Sequence, residues 1–300
     1  MIKRTMLALV LLAALLAGCS SGPDYKIEVT KPLYFQKDKA MPFEMKVLEN
    51  KKAVKGLKVS VELSMANMDH GSYKAKLTEG KAGTYAGNIQ LEMPGKYEAA
   101  FTLEKGGEKT EKIINFDVKK PQGVASINGK WITNDDLAFY RFINQLQLEI
   151  NRESAKKQYN GKQLEEELTY LKSQEKMLDD KNQLLTQIIR MRSMAMLAEE
   201  KGHKADPAKV EQQIQKVRNQ YNQYTSAKKL IKEYGEEKFW AKERKQYQSI
   251  VLIQQVQEDL LDEAKKDNPK AGDQEVYYEA QQKYEDLLVS QVNSLKIVIL

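Results

Sequence analysis

The sequence predicts two domains of different class: an antiparallel β-sandwich first, then a mostly α-helical domain that closes on a short strand. Three observations carry that expectation. Short runs up to residue 118 place apolar residues at every second position, as a strand with one buried face requires. Beyond Pro121, Gln122 and Gly123 the apolar spacing lengthens to three and four, the period of a helix face. At 295–300 stands LKIVIL, an apolar run that reads as a strand.

The amino-terminal residues set the expected compartment. Lys3 and Arg4 precede an apolar run at 6–17, shorter than the ~20 residues that span a bilayer, so 1–18 reads as a signal peptide. The run ends in Leu16, Ala17, Gly18 and Cys19, which resembles the bacterial lipobox; a short buried helix with a coincidental cysteine is the alternative. The resemblance implies cleavage before Cys19, lipid attachment to it (palmitate among the acyl chains), and a tether over 19–24. It implies a protein lipid-anchored to the cell membrane on the extracytoplasmic face, periplasmic or outer. Cys19 is the one cysteine, so no internal disulfide forms and stability must come from packing. Loss of 1–18 removes Lys3 and Arg4, lowers the formal charge from +6 to +4, and leaves 282 residues, enough for two domains. That mild positive balance implies solubility and attraction to anionic headgroups; it does not imply nucleic acid.

Residues 25–119 form the expected sandwich. Its runs are YKIEVT (25–30), FEMKVLE (43–49), LKVSVELSM (57–65), YKAKLTE (73–79), TYAGNIQL (84–91), KYEAAFTLEK (96–105) and EKIINFDV (111–118). In the third, Leu57, Val59, Val61, Leu63 and Met65 alternate with Lys58, Ser60, Glu62 and Ser64, one face apolar and one wet. Pro94 with Gly95 and Gly106 with Gly107 supply turns between runs. Seven short strands at this spacing predict an immunoglobulin-like antiparallel sandwich. The stretches MANMDHGSYKAKLTE and GTYAGNIQLEMPGKYEAAFTL are similar to the YtkA-like/FixH-like extracytoplasmic sandwich domains. Those share a Met/His loop, a G-x-Y-x-G strand, and a following strand that opens on glycine and an aromatic residue.

Residues 120–123 read as a linker and 124–300 as the helical domain. VASINGKWIT (124–133) is expected as one short strand with a turn at Asn128 and Gly129. Thr133 and Asp136 form a capping box, and Leu137, Tyr140, Ile143 and Ile150 follow at helical spacing. Leu164, Leu168 and Leu171 open a second stretch, which Leu184, Leu185, Ile188, Ile189, Met196 and Leu197 continue to a C-cap at Gly202. Asp206 and Pro207 start a helix carrying Val210, Ile214, Val217 and Tyr221 on one face. Another ends at Tyr234 and Gly235, a long one covers 236–266, and after Pro269 and Gly272 a last one covers about 274–294. ASINGKWITNDDLAFY and LLTQIIRMRSMAMLAEEKGHKADPAKVEQQIQKVRNQY, followed by helices with Tyr234-Gly235 and Phe239-Trp240, resemble the SurA/PrsA-type chaperone domain over 124–300. His203 departs from that family, which usually has Ile or Val there; past a helix end its imidazole is expected to bond the last carbonyls.

No enzyme activity is expected. Many proteins of that family insert a parvulin prolyl-isomerase domain of about a hundred residues, and only 34 residues follow Lys266. No G-x-S-x-G, H-E-x-x-H or P-loop occurs, and His70 and His203 are the only histidines. Glu165, Glu166 and Glu167 read as a solvated helix face, and Asp179 with Asp180 as a helix junction.

MANMDHG (65–71) poses the one cofactor question. Thioether sulfur and imidazole both suit Cu(I), so Met65, Met68 and His70 would make a site if the loop curled round one ion. Met65, in phase with Leu63 and Val61, reads as core, which leaves Met68 and His70; the stretch reads first as a turn. Met41, Met45 and Met93 contribute only if strand order brings them near. Copper handling is the alternative function; otherwise no cofactor is expected.

Met177, Met191, Met194 and Met196 have helical spacing and read first as core, yet flexible thioethers also adapt a surface to many apolar partners. The SurA/PrsA resemblance implies an arched cradle. Its inner face toward unfolded chains would include Tyr140, Met191, Met194, Met196, Tyr221, Tyr224, Trp240 and Tyr247. The expected function is that of a membrane-anchored, non-catalytic chaperone for unfolded or partly folded secreted or envelope polypeptides. No residue pattern specifies an oligomeric state or a single client.

Overall fold

The computed structural model describes residues 23–66 and 71–300, so residues 1–18, Cys19, Met68 and His70 lie outside the described residues. What is described divides into two compact units between Pro121 and Gln122.

The first unit is an antiparallel β-sandwich. Its strands are β1 (Lys26–Lys31), β2 (Met41–Glu49), β3 (Lys52–Ala53), β4 (Lys58–Met65), β5 (Ser72–Glu79), β6 (Thr84–Ile89), β7 (Gly95–Lys105) and β8 (Glu108–Val118). The seven runs read from sequence are all strands, and the two-residue β3 is an addition. Pairing follows the order β1-β2-β6-β5-β4-β7-β8, with β3 against β2. Between β5 and β6 only Thr78 with Ala86 and Glu79 with Tyr85 pair, and there the order folds into two layers. Phe43 of β2 meets Phe101 of β7 at 6.0 Å and Phe116 of β8 at 5.7 Å between ring centres, which closes one layer on the other. Burial repeats the sequence alternation: Met41, Phe43, Met45 and Val47 point inward from β2, and Val59, Val61 and Leu63 from β4.

The G-x-Y-x-G stretch has a steric cause. Gly83 takes a left-handed φ of 71°, and a Cβ there would sit 3.0 Å from both Ala53 Cβ and the Val54 carbonyl oxygen. A Cβ on Gly87 would meet Leu77 Cδ2 at 2.8 Å, so the glycine lets β5 cross closely at the corner. Tyr85 between them is fully buried, accepts from the Leu57 backbone N–H at 3.2 Å and donates to the Val54 carbonyl at 2.9 Å. The two outer strands are guarded. β1 carries a register irregularity between Val29 and Lys31, and β8 places Lys112, on the Ile114 and Phe116 face, against Asp24 at 3.2 Å. A bulge and an inward charge both discourage a foreign strand from pairing.

The second unit begins with a correction. VASINGKWIT is a hairpin of two strands, β9 (Ala125–Ile127) and β10 (Lys130–Ile132). Asn128 and Gly129, at φ 48° and 80°, adopt the left-handed pair that a two-residue hairpin turn needs. β11 (Ile297–Ile299) pairs antiparallel on the other side of β9. The helices are α1 (Asn134–Gln158), α2 (Gly161–Glu175), α3 (Lys181–Glu200), α4 (Pro207–Tyr221), α5 (Thr225–Tyr234), α6 (Glu236–Asp267) and α7 (Asp273–Ser294). The capping box of Thr133 and Asp136 forms in both directions. The stretch from Leu164 to Gly202 is two helices that divide at the junction read at Asp179 and Asp180: Asp180 accepts from the Asn182 and Gln183 N–H groups at 2.9 and 3.2 Å and restarts the chain as α3.

Four clusters make the core of this unit. The largest stacks Phe139, Tyr221, Phe239 and Trp240 among α1, α4, α5 and α6. A second joins α3, α6 and α7 through Met194, Val256 and Leu260, and a third seats the hairpin on α1 and α3 through Ile132, Leu137 and Ile188. The smallest, Leu148, Ala155 and Leu171, holds α2, in which Leu171 is the one buried residue. Among the described residues no helix is long and apolar enough to cross a membrane.

Candidate functional site

The side chains expected to line a cradle are largely packing residues. Met194 is fully buried, and Tyr221 and Trp240 keep 8% and 6% of their surface. The Arg218 guanidinium covers the Trp240 ring at 4.5 Å. Tyr140 packs on the hairpin cluster and donates its hydroxyl to the Met191 sulfur at 2.9 Å. Tyr224 and Tyr247 are half-buried against the aromatic cluster, and Met196 against the hairpin cluster. Helical periodicity identifies an apolar face but not what covers it, and here neighbouring helices cover much of it, while Tyr140 and Met196 also line cavities.

Two further expectations are settled locally. His203 does not bond the helix-end carbonyls through its ring. Its backbone N–H donates to the Ala198 carbonyl at 3.0 Å, while Nε2 lies 2.8 Å from Asp259 of α6. Met65 is half-buried against the sandwich core, and a Cβ on Gly95 would stand 2.6 Å from its Cε. Met41 and Met45 are also core. Among the described residues no group of three or more His, Cys, Asp or Glu side chains is placed to hold a metal ion.

The open site lies where α1, α2 and α3 fail to meet. A groove of about 300 Å³ runs between them, and six of its side chains are amides: Asn144, Gln147, Asn151, Gln174, Gln183 and Gln187. Asn144 donates to Gln187 at 3.2 Å and Gln147 to Asn151 at 2.9 Å, each bond using one donor and one acceptor. An amide has two N–H donors and a carbonyl with two lone pairs, so most of this capacity is left for a ligand. Leu148, Leu171 and Leu184 give the groove a buried apolar base, while Tyr170 and Met177 stand 56% and 48% exposed at it. Ion pairs brace its walls: Arg152 bridges Glu149 of α1 and Glu175 of α2, and Arg141 holds Asp179 at the joint before α3. The groove therefore offers neutral donors and acceptors beside apolar contact, which matches the peptide group and places little demand on side-chain identity. Glu165 and Glu166 are exposed on α2, outside this lining.

Asn144, Gln147 and Asn151 recur at three and four along α1, as Gln183 and Gln187 do along α3, so each set shares one helix face.

One buried acid stands apart from this groove. Glu243 of α6 is 2% exposed, and burial pushes its carboxyl up to about 7, with the Tyr221 hydroxyl bonded to it offsetting part of that rise. Burial and the Glu243 charge also push the Tyr247 phenol up to about 12. Glu243 lines neither the groove nor the two cavities that Arg192 and Lys245 share.

Comparison with known proteins bears on the first unit. Residues 21–102 match the YtkA-like family model. This YtkA-like domain covers the strands from β1 to most of β7, including the G-x-Y-x-G corner. Solved structures similar to the chain include the PKD domain of the human VPS10 domain-containing receptor SorCS2, at 13% identity and a TM-score of 0.21, covering 33% of this chain and 76% of that one. The fibronectin type-III domain of human fibronectin type III domain containing protein 3 is 14% identical with a TM-score of 0.21, covering 36% and 95%. No curated protein matches the chain.

Proposed function

We propose that this protein is a non-catalytic, membrane-anchored extracytoplasmic factor whose helical unit holds extended segments of unfolded or partly folded polypeptides. The observation that carries the reading is the amide-lined groove between α1, α2 and α3 with Tyr170 and Met177 exposed at it. Neutral amides satisfy the backbone donors and acceptors of an extended chain, and the exposed ring and thioether add contacts that adapt to many side chains. The resemblance of 124–300 to SurA/PrsA-type domains and the lipobox-like residues ending in Cys19 support the same reading. Release needs no nucleotide, because a client that folds buries the segment that was bound.

The test is aggregation of a reduced, unfolded client, followed by light scattering with and without stoichiometric full-length protein. A delayed onset is expected, and Tyr170→Ala with Met177→Ala should shorten that delay while circular dichroism stays unchanged. Identical aggregation with and without the protein overturns the reading.

A further inference from the structure

We propose that the helical unit carries a second, charge-selective subsite that takes an acidic side chain of the bound polypeptide; this rests on the polypeptide-binding reading above. Two cavities of about 310 and 120 Å³ share Arg192, Lys245 and Ser249 and so adjoin along α3 and α6. Lys130 of the hairpin lines one and Lys242 the other, against the carboxylates of Glu199 and Asp136. Arg192 is paired with Asp136 at 2.9 Å and Lys242 with Asp135. Lys130 and Lys245 are exposed and form no ion pair among the described residues, which leaves the cleft a surplus of positive charge.

One detail favours a peptide over a bare anion. Met196 and Leu252 make part of the lining apolar, which suits the methylenes of an aspartate or glutamate better than a hydrated ion.

The cleft is also in line with the groove. Asp136, Tyr140, Asn144, Gln147 and Asn151 share one face of α1, with the cationic cleft at its start and the amides further along. At 1.5 Å per residue, Tyr140 and Gln147 are about 10 Å apart along the axis, roughly the length of three extended residues. A segment with an acidic residue about that far from its neutral stretch would engage both.

The experiment uses full-length protein and two fluorescein-labelled unstructured peptides that differ only in two aspartates replaced by asparagines. At low salt the aspartate peptide should bind about fivefold tighter by anisotropy, the effect of two partly exposed ion pairs. Lys130→Gln with Lys245→Gln should erase that difference without changing the asparagine peptide, and Tyr170→Ala with Met177→Ala should weaken both peptides alike. Equal binding of the two peptides, or a preference that survives in the lysine variant, overturns the cleft while leaving the groove standing. Displacement of the aspartate peptide alone by inorganic phosphate at constant ionic strength also overturns it, in favour of a general anion site. If neither peptide binds, the groove reading falls and takes the cleft with it.

Discussion

The sandwich and the helical unit bury their apolar residues in opposite ways. One cluster runs through the whole sandwich, joining Phe43, Tyr85, Tyr97, Phe101 and Leu103 between its two layers. The helical unit divides its buried residues among four smaller clusters and buries polar groups as well, Glu243 and Gln291 among them. Strands with strict alternation present a continuous face, so two layers seal along their length. Long helices meet only where their ridges fit, and the space left between separate clusters is large enough for a ligand. The groove by α2 and the cavities beside α6 both lie at such seams.

The contrast is open to attack from its strongest side first. Phe101→Ala should lower the stability of the sandwich by about 3–5 kcal/mol, as truncating a fully buried aromatic does. Trp131 and Trp240 both belong to the helical unit, so tryptophan fluorescence in a urea melt reads that unit alone. Its midpoint should stay in place while the β-sheet circular-dichroism transition moves to lower urea. A shared shift of both signals would show that the units unfold as one.

Glu243 sharpens the comparison from the other side. Its carboxyl is raised from 4.5 to about 7 in the folded unit. The raised group contributes stability that is complete below 4.5 and is lost as pH climbs through about 7. Glu243→Gln should remove that loss, making the variant more stable than the parent at pH 8 by on the order of 2–3 kcal/mol, with little difference near pH 4. Urea midpoints by fluorescence across this range check it; parallel curves for variant and parent refute it. Thr133→Ala, which removes one half of the capping box, should cost about 1 kcal/mol in the same melt. Tyr170→Ala with Met177→Ala should change stability by under ~0.5 kcal/mol, since both are surface residues, and act on binding alone.

The sandwich was legible in the sequence because its signal is local. Each inward residue of β4 is flagged by the polar neighbour on either side, and the glycines of the Tyr85 stretch mark the corner. The helical unit was legible in its caps, at Thr133, Asp206 and Gly202, where one side chain or one glycine decides a helix end. At 176–180 the signal was split: Asp179 and Asp180 marked a junction, and Asp180 does restart the chain as α3, while the periodic leucines ran on with no glycine or proline to interrupt them. The site was not legible. The aromatic and methionine pattern that suggested a client-facing lining does not tell a covered helix face from an open one, whereas the exposed groove is made of amides, whose spacing carries no hydropathy signal.

The sheet of β9, β10 and β11 imposes a timetable on the chain. Asn128 gives its N–H to the Lys296 carbonyl at 2.9 Å and accepts the Lys296 N–H on its side chain at 2.8 Å, across 168 positions of sequence. At the usual pace of synthesis, β9 waits roughly ten to thirty seconds for that neighbour to be made. All three of its residues are buried once folding is complete. Through that interval β10, and then α1 and α3 as they form, are its shelter, and the helices between are made before the strand that ties their two ends together.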